Sequence, residues 1–305
     1  MKKILIIYYS QSGQLTQIVK KFAKPFEDSD HSVTYATIQP VKDYPFPWQG
    51  YDFFDVFPES VYKIPCDIDP LELEHEAYDL IVLAYTVWYM SPSIPFNSFL
   101  LSDQAKRIIR GKPVVTLLGV RNMWVVAQEY VKEKISSLGG HLVANICLHD
   151  RAENLTGIVT ISYFLFSGKK ERLWGIFPKP GISEKDIAGT ETFGKVVLDH
   201  FHRDQLNDLQ DELIKIKAVP VKPYLLSLEK TAARVFKIWA SFMLKKGGPE
   251  DPARRFRVNL FRGYFPVAIA LVAPLKYIFY ILLTPFFFSR RIKEKRYYTQ
   301  VKQNK

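Results

Sequence analysis

Residues 3–16, Lys-Ile-Leu-Ile-Ile-Tyr-Tyr-Ser-Gln-Ser-Gly-Gln-Leu-Thr, decide how the rest of the chain is read. Residues 4–8 are a continuous apolar run with isoleucine at three of five positions. That is the pattern of a strand buried on both faces of a parallel sheet. The run ends in Ser10-Gln11-Ser12-Gly13-Gln14-Leu15-Thr16, a short hydroxyl-rich loop with one glycine. An amphipathic helix is predicted next, with Leu15, Ile18, Val19, Phe22 and Phe26 on one face. A strand that hands such a loop to a helix N-terminus builds an anion cradle from free backbone N–H groups and the positive end of the helix dipole. Gly13 lets the backbone close on the anion.

Two common phosphate loops are excluded. The chain start has no G-x-x-x-x-G-K-S/T and no G-x-G-x-x-G. The segment resembles instead the phosphate loop of the flavodoxin family, S/T-x-S/T-G-x-S/T, directly after the first strand. Ser10-x-Ser12-Gly13-x-x-Thr16 matches it with the last hydroxyl one residue later. The resemblance implies that Ser10, Gln11, Ser12, Gly13, Gln14, Leu15 and Thr16 hold the phosphate of FMN. It also implies little positive charge there, and no Lys or Arg lies between Lys3 and Lys20.

Net charge divides the chain of 305 residues. Residues 1–217 carry 24 Lys/Arg against 27 Asp/Glu, a balance of −3, whereas residues 218–305 carry 18 against 4, a balance of +14. The expected domains are therefore 1–217, an α/β unit, and 218–305, a basic apolar segment. Basicity confined to a greasy tail points to a membrane surface and not to nucleic acid. Cys66 and Cys147 are too few for a disulfide framework, and no metal-ligand spacing is present. A reducing cytoplasm is expected. The apolar start is too short for a signal peptide and reads as a strand.

Further strands are predicted at residues 31–38, 78–84, 114–118 and 141–148. Residues 40–65 hold Pro40, Pro45, Pro47, Pro58 and Pro65 among many aromatics. They read as an irregular lid or pocket wall without helix or strand. The exit of the third strand, Tyr85-Thr86-Val87-Trp88-Tyr89-Met90-Ser91-Pro92, resembles the flavodoxin loop that runs under the isoalloxazine, which implies flavin contacts for Thr86, Val87, Trp88 and Tyr89. A helix follows at 94–109. The exit of the fourth strand, Gly119-Val120-Arg121-Asn122, is similar to the second flavin-contacting loop and implies that role for Gly119, Arg121 and Asn122. Arg121 suits the charge of a reduced flavin or an enolate. His149, at the carboxyl edge of the fifth strand, is the acid–base candidate among six histidines, with Tyr89 beside it as a loop tyrosine. Residues 154–180 read as strands or a hairpin, and Ser183-x-x-Asp186 caps a helix to about residue 217. Strands joined by helical crossovers give an α/β, flavodoxin-like doubly wound parallel sheet with its ligand at the switch point.

The tail opens with an amphipathic basic helix over residues 224–246. Residues 264–288 then hold 25 residues whose one charge is Lys276. This is long enough to cross a bilayer, for which about 20 apolar residues suffice. Basic flanks on both sides (Arg254, Arg255, Arg257, Arg262; Arg290, Arg291, Lys293, Lys295, Arg296) disfavour a single crossing. The expectation is monotopic or peripheral attachment through residues 224–296 to the inner face of the cell membrane, as a re-entrant hairpin with Pro274-Leu275-Lys276 near its tip.

In layout, the hydroxyl loop, the Pro/aromatic excursion and the apolar basic C-terminus together resemble the bacterial dialkylresorcinol condensing enzymes, whose members are understood as aromatases. The resemblance implies an FMN-dependent oxidoreductase that converts a 2,5-dialkylcyclohexane-1,3-dione to a dialkylresorcinol. It also implies a lipophilic substrate and a ketosynthase-like partner enzyme. Two readings from other classes stay open: a membrane-associated NAD(P)H:quinone-type flavin reductase, and a non-enzymatic flavodoxin-like scaffold.

Overall fold

The structure, a computed structural model, describes residues 1–302. Its centre is a five-stranded sheet of β1 (Lys3–Tyr8), β2 (Ser32–Thr37), β3 (Leu80–Tyr85), β6 (Pro113–Val120) and β7 (His141–His149), in the order β2-β1-β3-β6-β7. All pairings are parallel, with Ile4 level with Val33 on one side and Leu80 on the other. Residues 4–7 and 80–85 are almost fully buried, as their unbroken apolar runs require. A two-stranded hairpin of β4 (Val87–Trp88) and β5 (Ser91–Pro92) follows β3, with Tyr89 and Met90 in the left-handed region at its tip.

The direction of winding reverses at β1. Right-handed crossovers therefore place α1 (Gln14–Glu27) on one face. They place α4 (Ile94–Leu100), α5 (Asp103–Ile109) and α6 (Val125–Ser137) on the other. The long α8 (Glu184–His202) packs against α1. The carboxyl ends of β1 and β3 diverge at the reversal, which is where an open α/β sheet forms its ligand crevice. The fold class read from the sequence is the one observed.

Several local expectations need correction. Residues 40–65 contain two short helices, α2 (Gly50–Asp55) and α3 (Phe57–Tyr62). Proline does not prevent them, because Pro58 takes the first turn of α3, where its missing N–H is not needed. The helix expected over 94–109 breaks at Ser102, whose hydroxyl accepts from the Ala105 N–H and starts α5. The helix capped by Ser183 stops at His202, and α9 (Leu209–Lys215) is separate.

Residues 154–167 form a helix, α7 (Asn154–Ser167), and not a strand. A β-branched apolar run is ambiguous by period alone, and the outer edge of β7 offers it no partner. That edge is already covered: the Asn145 N–H donates to Gln210 and the Cys147 N–H to the Ala218 carbonyl.

The tail forms three helices, α10 (Pro223–Leu244), α11 (Arg255–Leu282) and α12 (Thr284–Thr299). Helices α10 and α11 run antiparallel, with Phe236 meeting Phe261 and Phe265, and Tyr224 donating to the Ala273 carbonyl. Pro266 and Pro274 sit inside α11 without ending it. The expected tip at 274–276 is thus corrected: Lys276 donates to Thr231 on α10, and the chain turns at Leu283 instead. Helix α12 returns to the sheet unit, where Tyr297 donates to Glu129 and Gln210 to the Thr299 carbonyl. The turn is left strongly apolar and uncovered, with Phe286 81% and Phe288 60% exposed.

Candidate functional site

A cavity of about 730 Å³ lies at the switch point. Its floor is the loop after β1, where Ser10, Gln11, Ser12, Gln14 and Leu15 reach it. Gly13 opens α1 at φ +77°, a backbone conformation that favours glycine, and as the N-cap residue it offers no side chain of its own to the helix. Ser10 Oγ accepts from the Thr16 N–H at 3.2 Å and closes the loop on itself. Gln11 donates to the Pro45 carbonyl, and Gln14 exchanges two bonds with the Ile182 backbone, so both glutamines tie the loop to its flanks.

One side wall is aromatic. Trp88 is held edge-on by Tyr44, Trp48 and Tyr9 at centroid distances of 5.1, 5.4 and 6.1 Å. Tyr89 reaches the cavity too, but its hydroxyl donates to the Phe53 carbonyl at 2.6 Å, and burial pushes the phenol well up. Opposite lie Gly119, Val120, Arg121 and Asp150 from the ends of β6 and β7. Burial lowers the Arg121 guanidinium, and Asp150 opposes that effect. The remaining walls come from α7, with Ile158, Ile161 and Phe164, and from α11, with Arg262, Phe265, Pro266 and Ile269.

Most of the residues singled out in the sequence meet here: Ser10, Gln11, Ser12, Gln14, Leu15, Thr86, Val87, Trp88, Tyr89, Gly119 and Arg121. Gly13 and Thr16 shape the loop from outside the lining. Asn122 and His149 face a separate small hollow with Trp124, Lys222 and Glu229. Burial, then Lys222 and Arg151, push His149 down to about 4, which leaves it neutral near pH 7. Sequence reasoning missed Asp150, α7 and the α11 wall as site elements. The apolar character of α11 was visible, but nothing in the pattern told that one of its faces would line the cavity.

The hollow holds a titratable link between the tail and α6. Glu229 of α10 is 1% exposed and accepts from the Val126 N–H at 2.7 Å, capping α6 from another helix. Burial raises its carboxyl to about 7 against the pull of the Val126, Val125 and Trp124 N–H groups. The unfolded chain gives up this proton near pH ~4.3. The contribution of Glu229 to stability is therefore full below that value and falls as pH rises through about 7. Glu229→Gln keeps the acceptor and is expected to flatten the decline in denaturation midpoint between about pH 5 and 7. An unchanged slope would refute this.

No protein-family model matches the chain, and no curated protein does. Solved structures are similar to it. A flavoprotein from Lactobacillus acidophilus NCFM, in complex with FMN, is 22% identical over 48% of this chain and 93% of its own, with a TM-score of 0.39. Flavodoxin 1 from Bacillus cereus is 14% identical over 65% of this chain and 98% of its own, TM-score 0.36. A Fusobacterium nucleatum flavodoxin bound to flavin mononucleotide is 12% identical over 70% and 98%, TM-score 0.30. The strand order and the crevice at its reversal, rather than these likenesses, carry the fold.

Proposed function

We propose that the chain is an FMN-dependent oxidoreductase that takes two hydrogens from a lipophilic cyclic 1,3-dione, a 2,5-dialkylcyclohexane-1,3-dione, to give a dialkylresorcinol. In this reading residues 1–217 hold the flavin and residues 218–305 attach the protein to the inner face of the cell membrane. One observation carries it. A single cavity has a hydroxyl-rich helix N-terminus at one end and the apolar face of α11 as a wall.

The residues present fit FMN. The phosphate suits the Ser10–Ser12 loop and the open end of α1, where backbone N–H groups supply the attraction that cationic side chains supply elsewhere. Trp88 and Tyr89 offer the ring a flat apolar wall, and Arg121 stands where negative charge would need an answering cation. When bound, FMN supplies a hydride acceptor. The chain does the rest: α7 and α11 shed water and seat alkyl chains, and Arg121 holds a substrate oxygen. Tyr89 is engaged by the Phe53 carbonyl and serves as wall rather than base.

Full-length protein purified in detergent should co-elute with FMN and show flavin absorbance. Gly13→Val, which forces a branched side chain into a left-handed backbone, should weaken FMN binding at least about tenfold, the equivalent of about 1.4 kcal/mol. Absence of flavin at saturating FMN would overturn the reading. With FMN bound, consumption of the dione separates it from a quinone reductase, which would oxidise NAD(P)H steadily with quinones.

A further inference from the structure

The chain between α7 and α8 leaves the cavity wall at Phe166 and returns to it at Gly181. Its crest is the turn Leu173–Gly175. There Trp174 stands 77% exposed, and Ile176 equally so. Trp174 meets the ring of Phe177 edge-on at 5.8 Å.

This exposure is built into the loop. Tyr163 of α7 donates to Glu171 at 2.9 Å. The Gly175 N–H donates to the Arg172 carbonyl at 3.1 Å and the Phe177 N–H to that of Leu173 at 3.2 Å. Trp174 itself lies in the left-handed region at φ +51°, which is uncommon for a bulky residue. An ordered loop that holds its large apolar side chains out in water marks a contact surface.

Charge identifies the partner. Lys169, Lys170, Arg172 and Lys179 surround the crest, and all four are exposed. The one acid between them, Glu171, is engaged by Tyr163 and lies 3.8 Å from Lys169. A tryptophan ringed by cations suits the headgroup layer of a bilayer that contains anionic lipid. The neighbouring cavity rim agrees with this. Val159 and Phe166 of α7 line the cavity and are exposed, and Val267 and Leu271 are exposed on α11, which forms another of its walls.

We propose that residues 169–179 are a bilayer-docking loop of the sheet unit. It seats Trp174 and Ile176 among the lipid headgroups and brings the cavity rim against the membrane. An apolar molecule then passes from lipid to cavity without crossing water. The choice of a bilayer rests on the membrane attachment proposed above, whereas the exposed crest is independent of the tail.

The test uses full-length protein with vesicles of phosphatidylcholine and phosphatidylglycerol in equal parts. Trp174→Asn with Ile176→Ser should weaken flotation at least about tenfold, because two apolar side chains no longer enter the headgroup layer. Asparagine accepts the left-handed backbone and both positions are exposed, so thermal unfolding should stay put. Brominated phosphatidylcholine should quench part of the tryptophan emission of vesicle-bound wild type, and Trp174→Asn alone should remove that part from the bound fraction. The same quenching should persist in whatever fraction of Phe286→Asp, Phe288→Asp protein still floats. Wild type that floats while Trp174 stays open to aqueous acrylamide, or a loop variant that floats as wild type does, overturns the docking loop and leaves the tail attachment standing; the patch would then face a protein. Wild type that does not float removes the bilayer from both.

Discussion

Replacing Arg254 by methionine is expected to cost the folded protein about 3–5 kcal/mol, the range for removing one partner of a buried ion pair. Arg254 is 0% exposed. Its Nε donates to Asp55 Oδ1 at 2.8 Å, its Nη1 to Glu59 Oε1 at 2.7 Å, and its Nη2 to the Asp55 carbonyl at 2.5 Å. Asp55 Oδ2 also accepts from the Glu250 N–H at 2.8 Å. Both carboxylates are nearly as buried, at 4% and 5% exposure. Methionine fills much of the space of the arginine stem but leaves two buried carboxylates without their cation. Denaturant midpoints measure the loss. The triple change Arg254→Met, Asp55→Asn, Glu59→Gln should recover much of it, because the penalty comes from uncompensated charge and not from lost packing. A loss below about 1 kcal/mol in the single variant would mean that water reaches the cluster.

The second large effect concerns the turn between α11 and α12. Phe286→Asp with Phe288→Asp should lower binding to phospholipid vesicles at least about 100-fold, since each buried phenylalanine contributes roughly 1.5–3 kcal/mol and every 1.4 kcal/mol is a factor of ten. Both side chains are exposed in the folded protein, so thermal unfolding should not move. Flotation with vesicles of mixed neutral and anionic lipid reads the result. Arg290, Arg291 and Lys293 follow the apolar turn directly and suit the headgroup layer just above it. Unaltered flotation of the double variant would remove this turn from the attachment surface and leave the basic residues as its source.

The sheet was legible because its signal is local. Residues 4–8 and 80–84 need only their own apolar continuity to be read as buried strands, and chain order then places their carboxyl ends together. Helix α7 was not legible: its Ile-Val-Thr-Ile run satisfies strand and helix alike, and the reason it cannot join the sheet lies in Gln210 and Ala218, far along the chain. The same distance hid the Arg254 cluster, whose partners lie 199 and 195 residues away. Asp150 stood in plain view beside His149. A lone carboxylate at a strand end carries no pattern, and only the fold shows which of the two neighbours turns to the cavity.

One wall of that cavity is α11, and α11 is made late. During synthesis the strands from β1 to β7 and the loops bearing Ser12, Trp88, Arg121 and Asp150 emerge first, as an unfinished basin open to water. Arg262, Phe265 and Ile269 leave the ribosome only afterwards, on the segment that also carries the apolar turn. A water-soluble cofactor can therefore load through the open side, before the greasy wall is laid across it. The order of the polypeptide becomes an order of assembly: polar partner first, apolar closure last.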